Sequence, residues 1–269
     1  MIVALTSAAG SPGVTTTSLG LACAGRPRVA ATAGRDATAD AVHNRQTICL
    51  EADPVGGSAV LAGYYRGFES PEVSLVDLLL ASRRGDLAAS LDQALVALGD
   101  GRFVLPGPRS HRQAGSALEL WPALAGELAS RPSADVVVDL GRLGMASYAE
   151  AFLWVADAIA LVMRCDLPAV SAARQWAEWL RDLRQSRPEM GSVGLILIGP
   201  GRPYSPREIG HGLELPVWAT IDWNPAGAAV YSVGAHRRRQ RLSSQYAVCG
   251  AALRQVAESR RLVLGGNHG

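Results

Sequence analysis

The first 25 residues constrain the fold more than any other part of the chain. Residues 1–6 form a short apolar run, which is typical of a buried parallel strand. Small residues with two glycines and one proline follow at 7–13, and residues 15–24 have the pattern of a helix that ends before Gly25. A strand, a glycine loop and a helix in this order predict a phosphate-binding loop, in which backbone N–H groups and a helix N-terminus surround a phosphate.

The loop departs from the usual pattern G-x-x-x-x-G-K-[ST] at its charged position. Ala8 replaces the first glycine and Val14 replaces the lysine, whereas Gly13 and Thr15 are kept. The chain contains no lysine, because all 26 of its basic residues are arginines. No lysine from another part of the sequence can therefore contact the β- and γ-phosphates.

Residues 9–16 resemble the loop K-G-G-x-G-K-T-T of the MinD/ParA group of P-loop ATPases, with both lysines absent and one glycine replaced by serine. The resemblance implies that the loop binds ATP and Mg²⁺, with the Thr15 hydroxyl on the metal. The loop residues that it assigns to this binding are Gly10, Ser11, Gly13, Val14, Thr15 and Thr16.

A second match to the same group follows the next predicted strand, at 47–51. It reads EADPVGG over residues 51–57, where the group has D-x-D-P-x-G. Acidic residues at the carboxyl end of a parallel strand lie at the ligand edge of an open sheet. The resemblance places Asp53, which follows Glu51, beside Mg²⁺ and the attacking water. The alternative interpretation is an acidic residue that caps a turn, since Asp-Pro and Gly-Gly are turn sequences.

The clearest buried strand, ADVVVD at 134–139, ends in Asp139. A hydrophobic strand that ends in aspartate is a Walker B pattern, which holds Mg²⁺ through its water shell. In the resembled group a switch loop with glycines follows, and Gly141 and Gly144 suit it. Arg142 is a candidate for positive charge near a phosphate, and a surface arginine is the alternative.

Predicted strands alternate with predicted helices along the whole chain. This alternation predicts an α/β fold with a doubly wound, mostly parallel sheet and helices on both faces. The length and the 48% hydrophobic content predict a single domain over residues 1–269. The polar segment 26–46 is predicted to be an inserted surface connection, either a tolerated insertion or a loop that binds a partner.

Composition narrows the remaining classes of protein. The cysteines Cys23, Cys49, Cys165 and Cys249 are scattered without a C-x-x-C pair, and no basic stretch of a signal peptide opens the chain, so we expect a cytoplasmic protein. The histidines lack metal-ligand spacing, and no Ser-His-Asp or Cys-His arrangement stands out. The net charge of +2 predicts no strong overall attraction to nucleic acid.

One cluster of charge, at residues 236–241, has several interpretations. A solvated helix face is one, nonspecific contact with DNA phosphates is the second, and contact with an acidic membrane surface is the third. The arginines concerned are Arg237, Arg238, Arg239 and Arg241. The following segment, 248–264, is predicted to be a helix that docks onto the sheet, although MinD-type proteins carry an amphipathic membrane helix at this position.

Two functions are compatible with these motifs. In the first, the protein is an ATP-dependent switch that forms a homodimer and places a protein partner on the membrane, the nucleoid or a secretion or pilus machine, with Asp53 and Asp139 as its catalytic acids. In the second, it is a pseudo-ATPase that keeps the fold as a partner-binding scaffold. A cation against the γ-phosphate contributes about 10³–10⁵ in rate, so the missing lysines favour the second.

Overall fold

The computed structural model describes residues 1–10, 12–24, 45–55, 57–201, 203–236 and 241–265. Within them, eight strands form one sheet. The strands are β1 (Ile2–Ser7), β2 (Gln46–Glu51), β3 (Val96–Gly99), β4 (Arg102–Leu105), β5 (Ala134–Arg142), β6 (Ala158–Arg164), β7 (Ser192–Ile198) and β8 (Val217–Ile221). The helices are α1 (Val14–Ala24), α2 (Leu75–Arg84), α3 (Leu87–Ala94), α4 (His111–Ala117), α5 (Trp121–Ala129), α6 (Ala151–Val155), α7 (Leu167–Ser186), α8 (Pro206–Leu213), α9 (Pro225–Ser232) and α10 (Arg241–Gly265), with a π-helical turn at Val60–Tyr64.

The sheet is mostly parallel, with the strand order β3-β4-β2-β5-β1-β6-β7-β8. Only the β3–β4 pair is antiparallel among the described strands. Asp139 of β5 lies level with Leu5 of β1 on one side and with Glu51 of β2 on the other. The register therefore brings the carboxyl ends of the three central strands to one edge of the sheet.

Helices cover both faces of the sheet, because successive side chains of a buried strand point to opposite faces. In β1, Ile2 and Ala4 belong to one buried cluster, and Val3 and Leu5 belong to the other. Helices α2 to α8 contribute to the first cluster, and α1, α9 and α10 contribute to the second. The predicted α/β architecture, doubly wound with a mostly parallel sheet, is confirmed.

The apolar spacing over residues 88–98 predicts a helix, and this prediction is partly wrong. Helix α3 ends at Ala94, and the residues after it form β3, which pairs antiparallel with β4. Gly99 and Gly101, on either side of Asp100, have φ angles of +147° and +66°. Glycine adopts these angles without strain, and Asp-Gly favours a hairpin turn, so the chain reverses here instead of extending the helix.

The C-terminal helix α10 docks onto the sheet, as the sequence predicts. Leu242, Tyr246, Cys249 and Leu253 recur at helical spacing and are all buried against β-sheet residues of the second cluster. The apolar set that the sequence predicts for this helix includes Val248, but this residue is 69% exposed. In the parts of the chain that the structure covers, no helix has the length and apolar character needed to cross a bilayer.

The insertion predicted at 26–46 falls outside the described residues except for Arg45 and Gln46, and it stays a prediction. Gln46 begins β2. Arg45 donates from Nη2 to Asp135 Oδ1 at 3.0 Å, which fixes the start of that strand beside β5.

Candidate functional site

The loop between β1 and α1 presents open backbone at a helix N-terminus. Gly13 has a φ of +98°, an angle that glycine adopts without strain. The Thr17 N–H donates to the Gly13 carbonyl at 2.8 Å, which is the first hydrogen bond of the helix. The N–H groups of residues 14–16, which come before it, therefore have no acceptor within the helix. A Cβ added at Gly10 or Gly13 would meet no atom within 4 Å. This part of the loop can approach an anion closely, whereas Ser11 lies outside the described residues.

Val14 occupies the position of the missing lysine and faces the protein interior. Its side chain is 6% exposed and belongs to the same buried cluster as Leu5 and Leu19. The residue therefore supplies an apolar contact to the core and no charge to the loop. Thr15 and Thr16, the next two residues, are half-buried.

Asp139 is the most buried acidic residue of the site, with 1% of its surface exposed. Its Oδ1 accepts a hydrogen bond from the Gly141 N–H at 2.9 Å, and its Oδ2 is buried without a normal hydrogen bond. Burial raises the pKa of Asp139 to about 7, although the Thr15 hydroxyl and the Gly141 N–H lower it. An unpaired carboxylate oxygen in this position favours the approach of a cation.

Asp53 lies beside Asp139, because its carboxyl group packs over Gly141. A Cβ at Gly141 would come within 2.7 Å of both carboxylate oxygens of Asp53. Asp53 Oδ1 also accepts from the Val55 N–H at 2.9 Å, the hydrogen bond of an Asx turn. Both interpretations of this residue therefore fit its position, since it caps the turn and also borders the site.

Gly141 should tolerate no side chain. Its φ is +65°, which disfavours residues with a Cβ, and the added atom would collide with Asp53. We expect Gly141→Ala to lower the free energy of unfolding by about 2 kcal/mol, measured by urea denaturation. Adding Asp53→Ala should recover part of this loss. A double variant no more stable than Gly141→Ala would show that the collision contributes nothing.

Glu51 has a structural role at the end of β2. Its carboxylate is buried and accepts from the Ser58 hydroxyl, from the Val60 N–H at 2.9 Å and from the Gly107 N–H at 3.2 Å. Burial raises the pKa of Glu51, and these hydrogen bonds oppose the rise. The side chain ties the π-helical turn and the segment after β4 to the end of β2.

A hydrogen-bonded chain that no motif of the sequence indicates connects β1 to the segment after β5. The Tyr148 hydroxyl donates to Thr6 Oγ1 at 3.0 Å, and the Thr6 hydroxyl donates to the Gly141 carbonyl at 3.1 Å. Burial raises the pKa of Tyr148, so its hydroxyl keeps its proton. The available signal was Thr6 itself, a hydroxyl at the end of an apolar strand.

Two of the candidate arginines, Arg142 and Arg241, are exposed, and the other three lie outside the described residues. Arg142 is exposed, lies in register with Ser7 at the start of the loop, and its Nη2 contacts Met145 Sδ at 3.0 Å. Residues Arg237, Arg238 and Arg239 fall outside the described residues. Arg241 is described, and its Nε lies 3.4 Å from Asp222 Oδ2.

The residues fit a magnesium-bound phosphate only on the metal side. Over the described ranges, no three His, Cys, Asp or Glu side chains cluster closely enough to hold a metal by themselves. Mg²⁺ suits such a site, because it keeps several waters and binds through one or two carboxylates and the phosphates. The buried, unpaired Oδ2 of Asp139 fits this chemistry, whereas the lysine-free loop does not fit the phosphate charge.

Comparison with known proteins identifies the architecture. No family model and no curated protein sequence matches the chain. The septum site-determining protein MinD of Pyrococcus horikoshii, in complex with Mg-ADP, is similar over 96% of this chain and 98% of its own, with a TM-score of 0.69 and 16% identity. A ParA family ATPase from Chlorobium tepidum is similar over 94% and 97%, with a TM-score of 0.67 and 15% identity.

A third similar structure has a different function in its name. Cobyrinic acid a,c-diamide synthase from Mycobacterium smegmatis, with bound ADP and magnesium, is similar over 96% of this chain and 95% of its own, with a TM-score of 0.63 and 20% identity. At these identities the likeness concerns the fold. The chain therefore has the fold of the MinD and ParA P-loop ATPases.

Proposed function

We propose that this protein is a MinD/ParA-like positioning or partitioning protein that acts as a partner-binding scaffold, with at most very weak ATPase activity. The observation that carries the proposal is the absence of lysine together with the burial of Val14. Transfer of a phosphoryl group depends on positive charge at its oxygens, which contributes about 10³–10⁵ in rate. Among the described residues, the loop offers backbone amides and a helix dipole in place of that charge.

The metal side of the site supports residual binding of a nucleotide with Mg²⁺. The Thr15 hydroxyl and the Asp139 carboxylate would hold the metal, and Asp53 would orient water beside it. Bound Mg²⁺ supplies positive charge to the phosphate oxygens. The alternative function is an ATP-dependent dimerisation switch, in which these same three residues act with an arginine in place of the lysine.

Calorimetric titration with ATP and ADP, with and without Mg²⁺, tests the proposal. We expect no binding, or weak binding that depends on Mg²⁺, and no phosphate release above that of a protein-free control. Any Mg²⁺-dependent binding should be lost in Thr15→Ala, because the metal loses its hydroxyl ligand. The control Ser116→Ala removes an exposed hydroxyl on α4 and should bind as the unaltered protein does.

Opposite results would favour the switch. Micromolar, Mg²⁺-dependent binding that is accompanied by phosphate release and lost in Thr15→Ala would contradict the scaffold proposal. Binding that Thr15→Ala leaves unchanged would refute the role of Thr15 on the metal. Sedimentation with and without nucleotide then shows whether the bound state is a homodimer.

A further inference from the structure

Strand β8 forms an open edge of the sheet. It is the last strand in the sheet order, and β7 is its one strand neighbour in the described parts of the chain. The backbone groups on its other side therefore have no strand to pair with. All residues of β1 are buried, whereas Ile221 is the one fully buried residue of β8.

A groove follows this edge. Two adjoining cavities of about 1010 Å³ and 580 Å³ share Val217 and Trp218 in their linings. All four residues from Val217 to Thr220 line one or both cavities. Successive side chains of a strand point to opposite faces, so four consecutive lining residues indicate that the cavities run along the edge itself. We call these two cavities, between α7, β8 and α10, the edge groove.

Arginines dominate the charge of the edge groove. Its lining includes Arg181, Arg184 and Arg260 near the start of β8, and Arg241 further along. Glu214 is the one carboxylate among the described lining residues, and it pairs with Arg181. The lining therefore carries an excess of positive charge.

Arg184 has the greatest capacity for further hydrogen bonds. It is exposed and makes no ion pair with any described residue. Each of the other three arginines of the lining has a carboxylate partner, which is Glu214, Asp157 or Asp222. A guanidinium offers five donors, so a carboxylate added to the groove would find free ones on Arg184.

We propose that the edge groove binds an extended acidic segment of a partner protein, which adds to β8 as a further strand and places its carboxylates against these arginines. Main-chain hydrogen bonds supply affinity in this mode of recognition, and alternate side chains supply specificity. The inference rests on the proposed scaffold function, since it gives the chemistry of the partner. The charge of the lining selects an acidic segment over a neutral or basic one.

Two features favour a polypeptide over nucleic acid. The groove offers an unpaired strand edge, and apolar side chains border it, including Trp218 and the 69% exposed Val248. A phosphate backbone would leave both unused, whereas a strand with alternating acidic and apolar residues uses both. Ser192 and Val217, at the amino ends of β7 and β8, line the larger cavity. This cavity therefore lies at the end of the sheet where the parallel strands begin, whereas Asp139 lies at the end where they finish.

Fluorescence anisotropy with a labelled peptide tests the proposal. The probe is a peptide of about seven residues that alternates valine and glutamate, compared with a valine–lysine version and a proline-interrupted version. We expect micromolar binding of the acidic probe alone. Arg184→Glu should weaken it about tenfold, and Arg174→Glu, an exposed arginine on the same helix but outside the groove, by less than about twofold. Hydrogen exchange should slow in residues 217–220.

Other results would overturn the proposal. They are no binding of the acidic probe at millimolar concentration, equal binding of the lysine probe, or no added protection of β8. Self-association that Arg184→Glu abolishes would assign the groove to a second copy of the chain, and tighter binding of a labelled DNA duplex would assign it to nucleic acid. Thr15→Ala should leave peptide binding unchanged, so a failure here is distinct from a failure of the nucleotide predictions.

Discussion

Replacing Asp139 with asparagine is expected to stabilise the protein by about 3 kcal/mol at about pH 8 and to change its stability little at about pH 4. The reason is the burial of the carboxyl group, which raises its pKa from 3.8 to about 7. The folded state disfavours the charged form, whereas the unfolded chain ionises freely. Asparagine keeps the shape of the side chain without the charge.

The sign of the pH dependence follows from the direction of this shift. A carboxyl group whose pKa is raised by folding binds its proton more tightly in the folded state. Its contribution to stability is complete below pH 3.8 and is lost as the pH rises to about 7. The free energy of unfolding of the unaltered protein should therefore fall over this window, and Glu51, whose pKa is also raised, should add to the fall.

Urea denaturation at several pH values measures the difference between the two proteins. The difference isolates Asp139, because Glu51 is present in both. Asp182→Asn is the matched control, since Asp182 is an exposed carboxylate on α7 and its replacement should change little at any pH. An asparagine variant that is less stable across the whole range would show that the Asp139 carboxylate contributes favourably to folding.

The second large effect is expected at the contact between α10 and α1. Tyr246→Ala should lower the free energy of unfolding by about 4 kcal/mol, because it empties a large buried volume. Tyr246 is 2% exposed, and its ring meets that of Tyr231 edge-to-face at 5.1 Å between centroids. It also lies so close to Gly20 that a Cβ there would come within 2.6 Å of Tyr246 Cζ.

The control for this variant is a substitution on the same helix. Val248→Ala truncates a residue that is 69% exposed and should change the free energy of unfolding by less than about 0.5 kcal/mol. Urea denaturation of both variants measures the difference. Equal effects would mean that α10 does not depend on its buried face, and that a helix free to leave the sheet is the better description.

The strands and the motifs at their ends were predictable because their signals are local. Asp139 ends an apolar run and Gly13 ends the short loop that follows another, and the order of strand, loop and helix places them at one sheet edge. The π-helical turn has no comparable local signal, and β3 has only the Asp-Gly sequence that follows it. β3 exists because β4 pairs with it, and its residues have helix-compatible spacing when they are read without that partner.

The different roles of the two acidic residues after β2 depend on contacts that sequence spacing does not reveal. Glu51 and Asp53 are two residues apart and have the same charge, so the motif alone treats them as a pair. The structure separates them because Ser58 and Gly107 hold the longer side chain of Glu51, whereas Asp53 turns toward Gly141. These partners come from different segments, and only the folded chain brings them together.

The burial of Val14 limits how the loop could be given a charge by protein engineering. A lysine placed at this position would begin inside a packed apolar cluster with Leu5 and Leu19. Burial of an unpaired ammonium group is strongly unfavourable. A charged loop would therefore require changes in the surrounding core as well, and the single substitution Val14→Lys would destabilise the fold before it could supply a cation to a phosphate.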